Sequence, residues 1–204
     1  ITEFGTRNVV STWAFLKSNT VKCYDLYETP EITEMLSLFA NASFTKADVL
    51  HIDIEPTDLL FIDTYHCYSQ LKAELFRHGN KASKYIIMHD TVSYGNKDEV
   101  GSWVTREMLN NYRPDRKQGL LPAIEEFLLA NSEWQIERHD LNNNGLMVLS
   151  KRKVVRNLFT SFYQDAKPER HKELVSCIER NIGNDLIDKI YIITEEPLSI
   201  FDDD

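Results

Sequence analysis

The stretch that decides the fold is DLLFIDTYHCYSQLKAEL, residues 58–75. It opens on an apolar run, Leu59 to Ile62, which predicts a buried β-strand. The run stops at Asp63, His66 follows three positions later, and a helical pattern then begins. A buried strand that passes directly into an amphipathic helix is typical of a βαβ unit. The stretch therefore predicts a parallel sheet with a carboxylate and an imidazole at the end of one strand.

The same alternation of apolar runs and amphipathic stretches continues on both sides of this unit. Strands are predicted at residues 1–4, 21–27, 58–63, 84–90, 134–140 and 146–151, and helices at 11–17, 30–42, 68–77 and 119–131. Residues 48–54 fit either a short strand or a loop. Because NNNG at 142–145 is a hairpin-type turn, the last two strands are predicted to be antiparallel. The predicted fold class is α/β: a Rossmann-like, doubly wound, mostly parallel sheet with a terminal antiparallel strand pair.

The character of the sequence changes after Lys151. Helices are predicted at 154–163 and 171–183, with a linker between them and a strand at 188–194. We therefore predict two domains, a Rossmann-like domain over residues 1–151 and, over 152–204, a helical linker with a partial C-terminal α/β segment. Because the chain opens inside a strand without a starting Met and closes on IFDDD, we expect it to be a fragment of a longer protein.

Composition and charge exclude several classes of function. The 204 residues include 23 Lys and Arg against 32 Asp and Glu, a formal net charge of −9, which disfavours a nucleic-acid partner. No run approaches the roughly 20 apolar residues that span a bilayer, so no membrane partner is expected. The three cysteines are far apart and odd in number, which is typical of reduced thiols in a cytoplasmic protein. A homo-oligomer is compatible with this composition.

Polar residues lie at the carboxyl ends of four predicted strands, the edge at which parallel α/β sheets bind ligands. They are Gly5-Thr6-Arg7, Asp25, Asp63 with His66, and His89 with Asp90. A carboxylate at a strand end is often only the N-cap of the next helix. Capping does not, however, require two neighbouring strands to end in FIDTYH and MHD. Two carboxylates with one or two imidazoles suit a divalent ion together with a general base.

The turn after the first strand indicates a cofactor with a ribose. EFGTR places Gly5 where the backbone turns tightly between strand and helix, and Asp25, about twenty residues later, can hold ribose hydroxyls. A nicotinamide dinucleotide is disfavoured because GxGxxG is absent, with Arg7 and Val10 where its second and third glycines would fall.

Several motifs together resemble the class I S-adenosylmethionine-dependent methyltransferases. They are EFGTRNVVSTWAFL, YDLYET, FTKADVL, DLLFIDTYHCYSQLKAEL, KYIIMHDT and GLLPAIEEFL followed by NNNGLMVL. The branch that looks most similar is that of the metal-dependent sugar and macrolide O-methyltransferases, which are related to cephalosporin hydroxylase-like proteins. The resemblance covers roughly residues 1–151. The tail from about residue 154 loosely resembles the opening of glycosyltransferase-like modules.

The resemblance implies a role for each strand-end residue. The residues that match the S-adenosylmethionine site are Glu3, Gly5, Thr6, Asp25 at the ribose and Asp48 near the adenine amino group. Val9 stands where the family loop usually has glycine. Asp63, His89 and Asp90 match the ligands of Mg²⁺, with His89 where related proteins have a carboxylate; Mn²⁺ accepts imidazole more readily. His66 matches the base that deprotonates the acceptor hydroxyl.

The resulting hypothesis is an S-adenosylmethionine-dependent, divalent-metal-assisted O-methyltransferase that acts on a sugar or glycoside hydroxyl. The alternative is a non-catalytic Rossmann-like module with a sugar-binding or scaffolding role in a multidomain glycan-modifying protein; a hydroxylase is a third interpretation. Trp103 is a candidate sugar contact. Asp202 to Asp204 invite comparison with a metal-binding DxD motif, but a solvated acidic end is the favoured interpretation.

Overall fold

The computed structural model describes residues 1–101, 104–113, 117–152, 156–163 and 165–194. Trp103 and Asp202–Asp204, the proposed sugar contact and DxD motif, lie outside these residues. The chain divides into two compact units, Ile1–Arg152 and Lys153–Asp204. No helix in the described ranges is long and apolar enough to cross a membrane.

A seven-stranded sheet is the centre of the first unit. Its strands are β1 (Thr2–Phe4), β2 (Val21–Asp25), β3 (Ala42–Lys46), β4 (Thr57–Ile62), β5 (Ala82–His89), β6 (Trp134–Asp140) and β7 (Leu146–Lys151). Their order across the sheet is β3-β2-β1-β4-β5-β7-β6. The first five strands are parallel, and β7 runs antiparallel to both β5 and β6. The predicted α/β class and the terminal antiparallel pair are thus confirmed.

Helices cover the sheet and divide its side chains into two cores. They are α1 (Val10–Phe15), α2 (Pro30–Leu38), α3 (Tyr68–His78), α4 (Arg106–Asn111) and α5 (Leu120–Ala130). The larger core includes residues of α3 and α5, which pack against each other. The smaller core includes residues of α2 and the residues on either side of α1, Val9 and Leu16. Strand β2 sends Cys23 into the smaller core and Tyr24 towards the larger one. Because side chains alternate along a strand, the two cores lie on opposite faces of the sheet.

The prediction for residues 30–54 was wrong in part. Helix α2 ends at Leu38 and not at residue 42 as predicted, and β3, which the sequence pattern did not reveal, begins at Ala42. Strand β3 is at the edge of the sheet and its side chains are exposed or half-buried, so it has no apolar run that would mark it as a strand. The ambiguous segment 48–54 contains a single 3₁₀ turn, Val49–His51.

The second unit contains a βαβ arrangement. Strand β8 (Asn157–Ser161) leads through α6 (Pro168–Ile182) to β9 (Lys189–Ile193), which pairs with β8 in parallel. The helix predicted over 154–163 was therefore wrong. The side chains of β8 alternate between exposed and half-buried with a period of two, which is the period of a strand. Pro168 begins α6 although it was assigned to the linker, and the first turn of a helix accommodates proline.

Candidate functional site

A cavity of about 560 Å³ opens at the carboxyl ends of the parallel strands. Its volume is within the range of small-molecule sites. The connections that follow β1 to β5 form its walls. Of the nine residues predicted for the site, seven line the cavity: Gly5, Asp25, Asp48, Asp63, His66, His89 and Asp90. Glu3 and Thr6 are buried but are not among the described residues that line it.

Gly5 brings the first loop directly against the end of β4. Its φ is +82°, and a Cβ placed on it would lie 1.9 Å from the carbonyl oxygen of Asp63. The Gly5 N–H donates to the Tyr24 carbonyl at 2.9 Å, and the Asp63 N–H donates to the Phe4 carbonyl at 2.9 Å. Only glycine fits this position, because it both takes a positive φ freely and has no side chain to clash with Asp63.

Two residues of the rest of the loop, Arg7 and Val9, have a positive φ although neither is a glycine. Arg7 has a φ of +43° and Val9 a φ of +53°. This left-handed conformation costs an L-residue roughly 1–2 kcal/mol, and it is a true outlier for a β-branched residue. Val9 is buried in the smaller core, so packing of its side chain helps to hold the conformation. The loop therefore has at Val9 the positive φ that glycine adopts most readily.

Glu3 supports the loop from beneath. Its carboxylate accepts hydrogen bonds from the Ser11 hydroxyl at 2.5 Å and the Thr12 hydroxyl at 2.6 Å. Burial raises the pKa of Glu3, and these two hydrogen bonds only partly oppose the effect. Because Glu3 lies in β1 while Ser11 and Thr12 lie in the first turn of α1, the side chain fixes the helix relative to the strand. The structure thus gives Glu3 a supporting position behind the cavity wall.

Asp25 and Asp48 present carboxylates to the cavity at the ends of β2 and β3. Asp25 accepts hydrogen bonds from the backbone N–H of Arg7 at 2.8 Å and of Tyr27 at 3.2 Å. Asp48 accepts from the Leu50 N–H at 2.9 Å, and its second oxygen lies 3.0 Å from His51 Nδ1. Each carboxylate oxygen has lone pairs beyond these bonds, so both residues remain able to accept hydroxyl or amino groups of a ligand.

Asp63, His89 and Asp90 form a group that suits a metal ion. One potential ligand atom from each lies within 4.8 Å of the others. His89 Nδ1 is 3.4 Å from Asp90 Oδ1 and 3.7 Å from Asp63 Oδ1. His89 Nδ1 and Asp90 Oδ1 are buried and have no hydrogen-bond partner in the described part of the chain. Two potential metal-ligand atoms that are buried close together without hydrogen-bond partners fit a divalent ion. Carboxylates with an imidazole suit Mn²⁺ or Mg²⁺.

His66 lies between this group and a residue that the sequence did not reveal. Its Nε2 is 3.1 Å from both Asp63 Oδ1 and Asp90 Oδ2, and its Nδ1 is 2.6 Å from Glu99 Oε2. Burial lowers the pKa of His66, but hydrogen bonds to Asp63 and Glu99 and the charge of Asp90 outweigh it and raise the pKa overall. Glu99 belongs to the long polar connection after β5, where no motif distinguished it from other acidic residues.

Comparison with known proteins supports the assignment of the fold. No family model and no curated protein matches the chain. A solved Burkholderia thailandensis structure, 1,6-didemethyltoxoflavin-N1-methyltransferase with bound 1,6-didemethyltoxoflavin and S-adenosylhomocysteine, is 15% identical with a TM-score of 0.51, covering 74% of this chain and 69% of its own. Magnesium protoporphyrin IX methyltransferase from Synechocystis PCC 6803, with bound S-adenosylhomocysteine, is 13% identical with a TM-score of 0.51, covering 74% and 73%. The chain therefore has the fold of the class I S-adenosylmethionine-dependent methyltransferases.

Proposed function

We propose that this protein is an S-adenosylmethionine-dependent methyltransferase that methylates a hydroxyl of a sugar or glycoside with the help of a divalent metal ion. The observation that carries the proposal is that one cavity brings together two different sets of functional residues. The loops after β1, β2 and β3 bring Gly5, Asp25 and Asp48 to one side. The loops after β4 and β5 bring the Asp63–His89–Asp90 group and His66 to the other.

The β1–β3 side of the cavity suits the cofactor. Gly5, Asp25 and Asp48 line it. In this proposal Asp25 binds the ribose hydroxyls and Asp48 the adenine amino group. Both similar solved structures hold S-adenosylhomocysteine. When bound, S-adenosylmethionine supplies a methyl group on a positively charged sulfur.

The β4–β5 side suits an acceptor hydroxyl. A divalent ion held by Asp63, His89 and Asp90 would lower the pKa of a hydroxyl bound to it. His66 then takes up the hydroxyl proton at Nε2, the nitrogen that faces Asp63 and Asp90. In its neutral form a histidine can accept this proton.

The charges on the acceptor side favour a neutral acceptor. Asp63, Asp90 and Glu99 contribute three carboxylates there, and among the described lining residues the one Lys or Arg is Arg7, on the cofactor side. Beyond the divalent ion itself, a phosphorylated or carboxylated acceptor would meet like charge with no Lys or Arg beside it in the described lining. A hydroxyl-rich, uncharged sugar meets hydrogen-bond acceptors instead. The cavity thus supports a neutral sugar or glycoside over an anionic metabolite.

Calorimetric titration with S-adenosylhomocysteine, with and without Mn²⁺, tests the proposal. We expect saturable binding by the wild-type chain, and we expect Asp25→Asn to weaken it. Asp90→Asn should retain S-adenosylhomocysteine binding but lose Mn²⁺ binding, measured separately by electron paramagnetic resonance. Transfer of a labelled methyl group to neutral glycosides, and not to their phosphates, would support the acceptor class. A folded wild-type chain that does not bind S-adenosylhomocysteine would contradict the methyltransferase function.

The non-catalytic alternative rests on Val9, where a glycine is expected. Because the structure keeps a positive φ at Val9, the loop retains the conformation that the alternative supposed lost. The geometry therefore favours the catalytic proposal.

A further inference from the structure

Glu99 contacts the imidazole of His66 on the edge opposite the candidate metal ligands. Its Oε2 lies 2.6 Å from His66 Nδ1, and its other oxygen accepts a hydrogen bond from the Tyr94 hydroxyl at 3.0 Å. The Tyr94 ring stacks on the imidazole, with centroids 5.1 Å apart and planes 2° from parallel. Only 13% of the Glu99 side chain is exposed, so water competes little for these bonds. One ring is thus held along its edge by Glu99 and across its face by Tyr94.

The backbone around Glu99 is attached to the loop that carries His66. The Glu99 N–H donates to the His66 carbonyl at 2.8 Å. The preceding residue, Asp98, is buried, and its Oδ1 accepts from the backbone N–H groups of Tyr68 and Gly119, both at 2.8 Å. These bonds tie the connection after β5 to the starts of α3 and α5. They therefore fix the distance from which the Glu99 carboxylate reaches the ring.

A carboxylate at this place decides which nitrogen of a neutral His66 carries the proton. An ionised carboxylate only accepts hydrogen bonds, so it selects the ring form with the proton on Nδ1. The lone pair is then on Nε2, which lies 3.1 Å from both Asp63 and Asp90. An ion held by these two carboxylates would leave Nε2 free to accept a proton.

We propose that Glu99 is a positioning residue that fixes the orientation and the tautomer of His66, with Tyr94 supporting it. The inference rests on the proposed function, in which His66 Nε2 accepts the proton of the acceptor hydroxyl. Glu99 is outside the group formed by Asp63, His89 and Asp90, and it contacts the ring at the nitrogen that faces away from that group. We therefore expect its effect on catalysis to pass through the imidazole.

Substitutions at Glu99 separate positioning from a general structural role. In Glu99→Ala, turnover should fall by roughly 100-fold, the scale of lost general-base catalysis, while S-adenosylhomocysteine affinity stays unchanged. Glu99→Asp should lose nearly as much turnover. Because the backbone is anchored, the shorter side chain would not bring its carboxylate within hydrogen-bond distance of Nδ1. Added acetate should restore part of the turnover of Glu99→Ala, since it can refill the vacated space. Tyr94→Phe, which keeps the stacked ring, should lose less than Glu99→Ala. Glu125→Ala, an exposed acid on α5, is the matched control and should behave as wild type.

A spectroscopic measurement decides the tautomer without relying on turnover. The chain has six histidines, so the His66 signals in ¹⁵N-histidine spectra are assigned by their loss in His66→Gln. With Mg²⁺ present and the ring neutral, wild-type His66 should carry its proton on Nδ1, and Glu99→Ala should give a mixture of both forms.

Two results would overturn the role of Glu99. One is a wild-type His66 protonated on Nε2, and the other is the same tautomer in wild type and Glu99→Ala. Failure of the chain to bind S-adenosylhomocysteine would instead contradict the proposed function, while the tautomer comparison would still decide whether Glu99 controls the ring.

Discussion

Gly5 is the residue at which the first loop and the end of β4 approach most closely. In Gly5→Ala the added Cβ would meet the Asp63 carbonyl oxygen at 1.9 Å, at a backbone with a φ of +82°. We expect S-adenosylhomocysteine binding to be lost and the free energy of unfolding to fall by about 2 kcal/mol or more. Calorimetry and urea unfolding measure the two effects. Gly183→Ala is the control, because a Cβ there has its nearest neighbour at 3.9 Å; equal behaviour of both variants would contradict the account.

Glu74 should make stability depend on pH. It is fully buried on α3, and burial raises its pKa from the ordinary 4.5 to about 7, against hydrogen bonds from Gln70 and Thr64 that lower it. Between these two values the folded chain holds a proton that the unfolded chain has released. The free energy of unfolding therefore contains a contribution that is fully present below pH 4.5 and is lost as pH rises towards 7.

The size of this contribution follows from the shift in pKa. At 1.36 kcal/mol per unit it is about 3 kcal/mol. Urea unfolding at several pH values across this window should show the decline in the wild-type chain, and Glu74→Gln should lack it because an amide does not titrate. Glu125→Gln, on the surface, should retain it. A Glu74→Gln variant with the wild-type pH profile would show that Glu74 is not its source.

Whether a site residue could be predicted from the sequence depends on whether a local pattern marks its position. Asp63, His66 and Asp90 were predictable, because each follows an apolar run that marks the carboxyl end of a parallel strand. Glu99 was not predictable, since it reaches His66 from 33 positions away through a connection with no periodic pattern. Glu3 was predicted as a cofactor residue, but its contacts with Ser11 and Thr12 depend on how α1 packs, which the sequence pattern does not specify.

The loop between β1 and α1 keeps its shape against local preference, and this gives a test at the level of the element. In Arg7→Gly the left-handed conformation is relieved, a gain of roughly 1–2 kcal/mol, against about 0.5–1 kcal/mol for the greater freedom of glycine in the unfolded chain. The backbone N–H that donates to Asp25 remains. We therefore expect a net stabilisation of up to about 1.5 kcal/mol in urea unfolding.

The neighbouring residue provides the matched control for this loop. Asn8 is exposed and is not among the described residues with a positive φ. Asn8→Gly should therefore only gain unfolded-state freedom and lose about 0.5–1 kcal/mol. Opposite signs for the two glycine substitutions support the strained-loop account, and a loss of stability in both would contradict it.

The elements that were predicted correctly are those with a one-sided or continuous apolar pattern. Strands β4 and β5 contain the continuous apolar runs at 59–62 and 85–88, and α3 and α5 have an apolar face, so their positions follow from the sequence pattern. The errors concern β3 and β8, whose side chains are exposed or half-buried along their length. Such strands are held mainly by backbone pairing with a neighbour, and pairing leaves little trace in the sequence.

At the level of the whole molecule, the order of the strands explains how the proposed cofactor site and the proposed acceptor site can share one cavity. The chain builds outward from β1 through β2 to β3, and then returns to place β4 and β5 on the other side of β1. The reversal leaves a crevice between β1 and β4, where Gly5 meets Asp63. Ligands of α/β sheets bind at such switch points. The loops proposed to bind the cofactor and those proposed to bind the acceptor therefore face each other across the same crevice.

This arrangement predicts that the first unit is sufficient for cofactor binding. The described residues that line the cavity all lie between Gly5 and Asn144, within Ile1–Arg152. We expect a chain ending at Arg152 to bind S-adenosylhomocysteine as tightly as the full chain in calorimetry. A chain ending at Asn131 is the control: it lacks β6 and β7, whose buried Leu149 covers the core and pairs with β5, and it should not fold. Loss of binding in a folded 1–152 chain would show that the second unit contributes to the site.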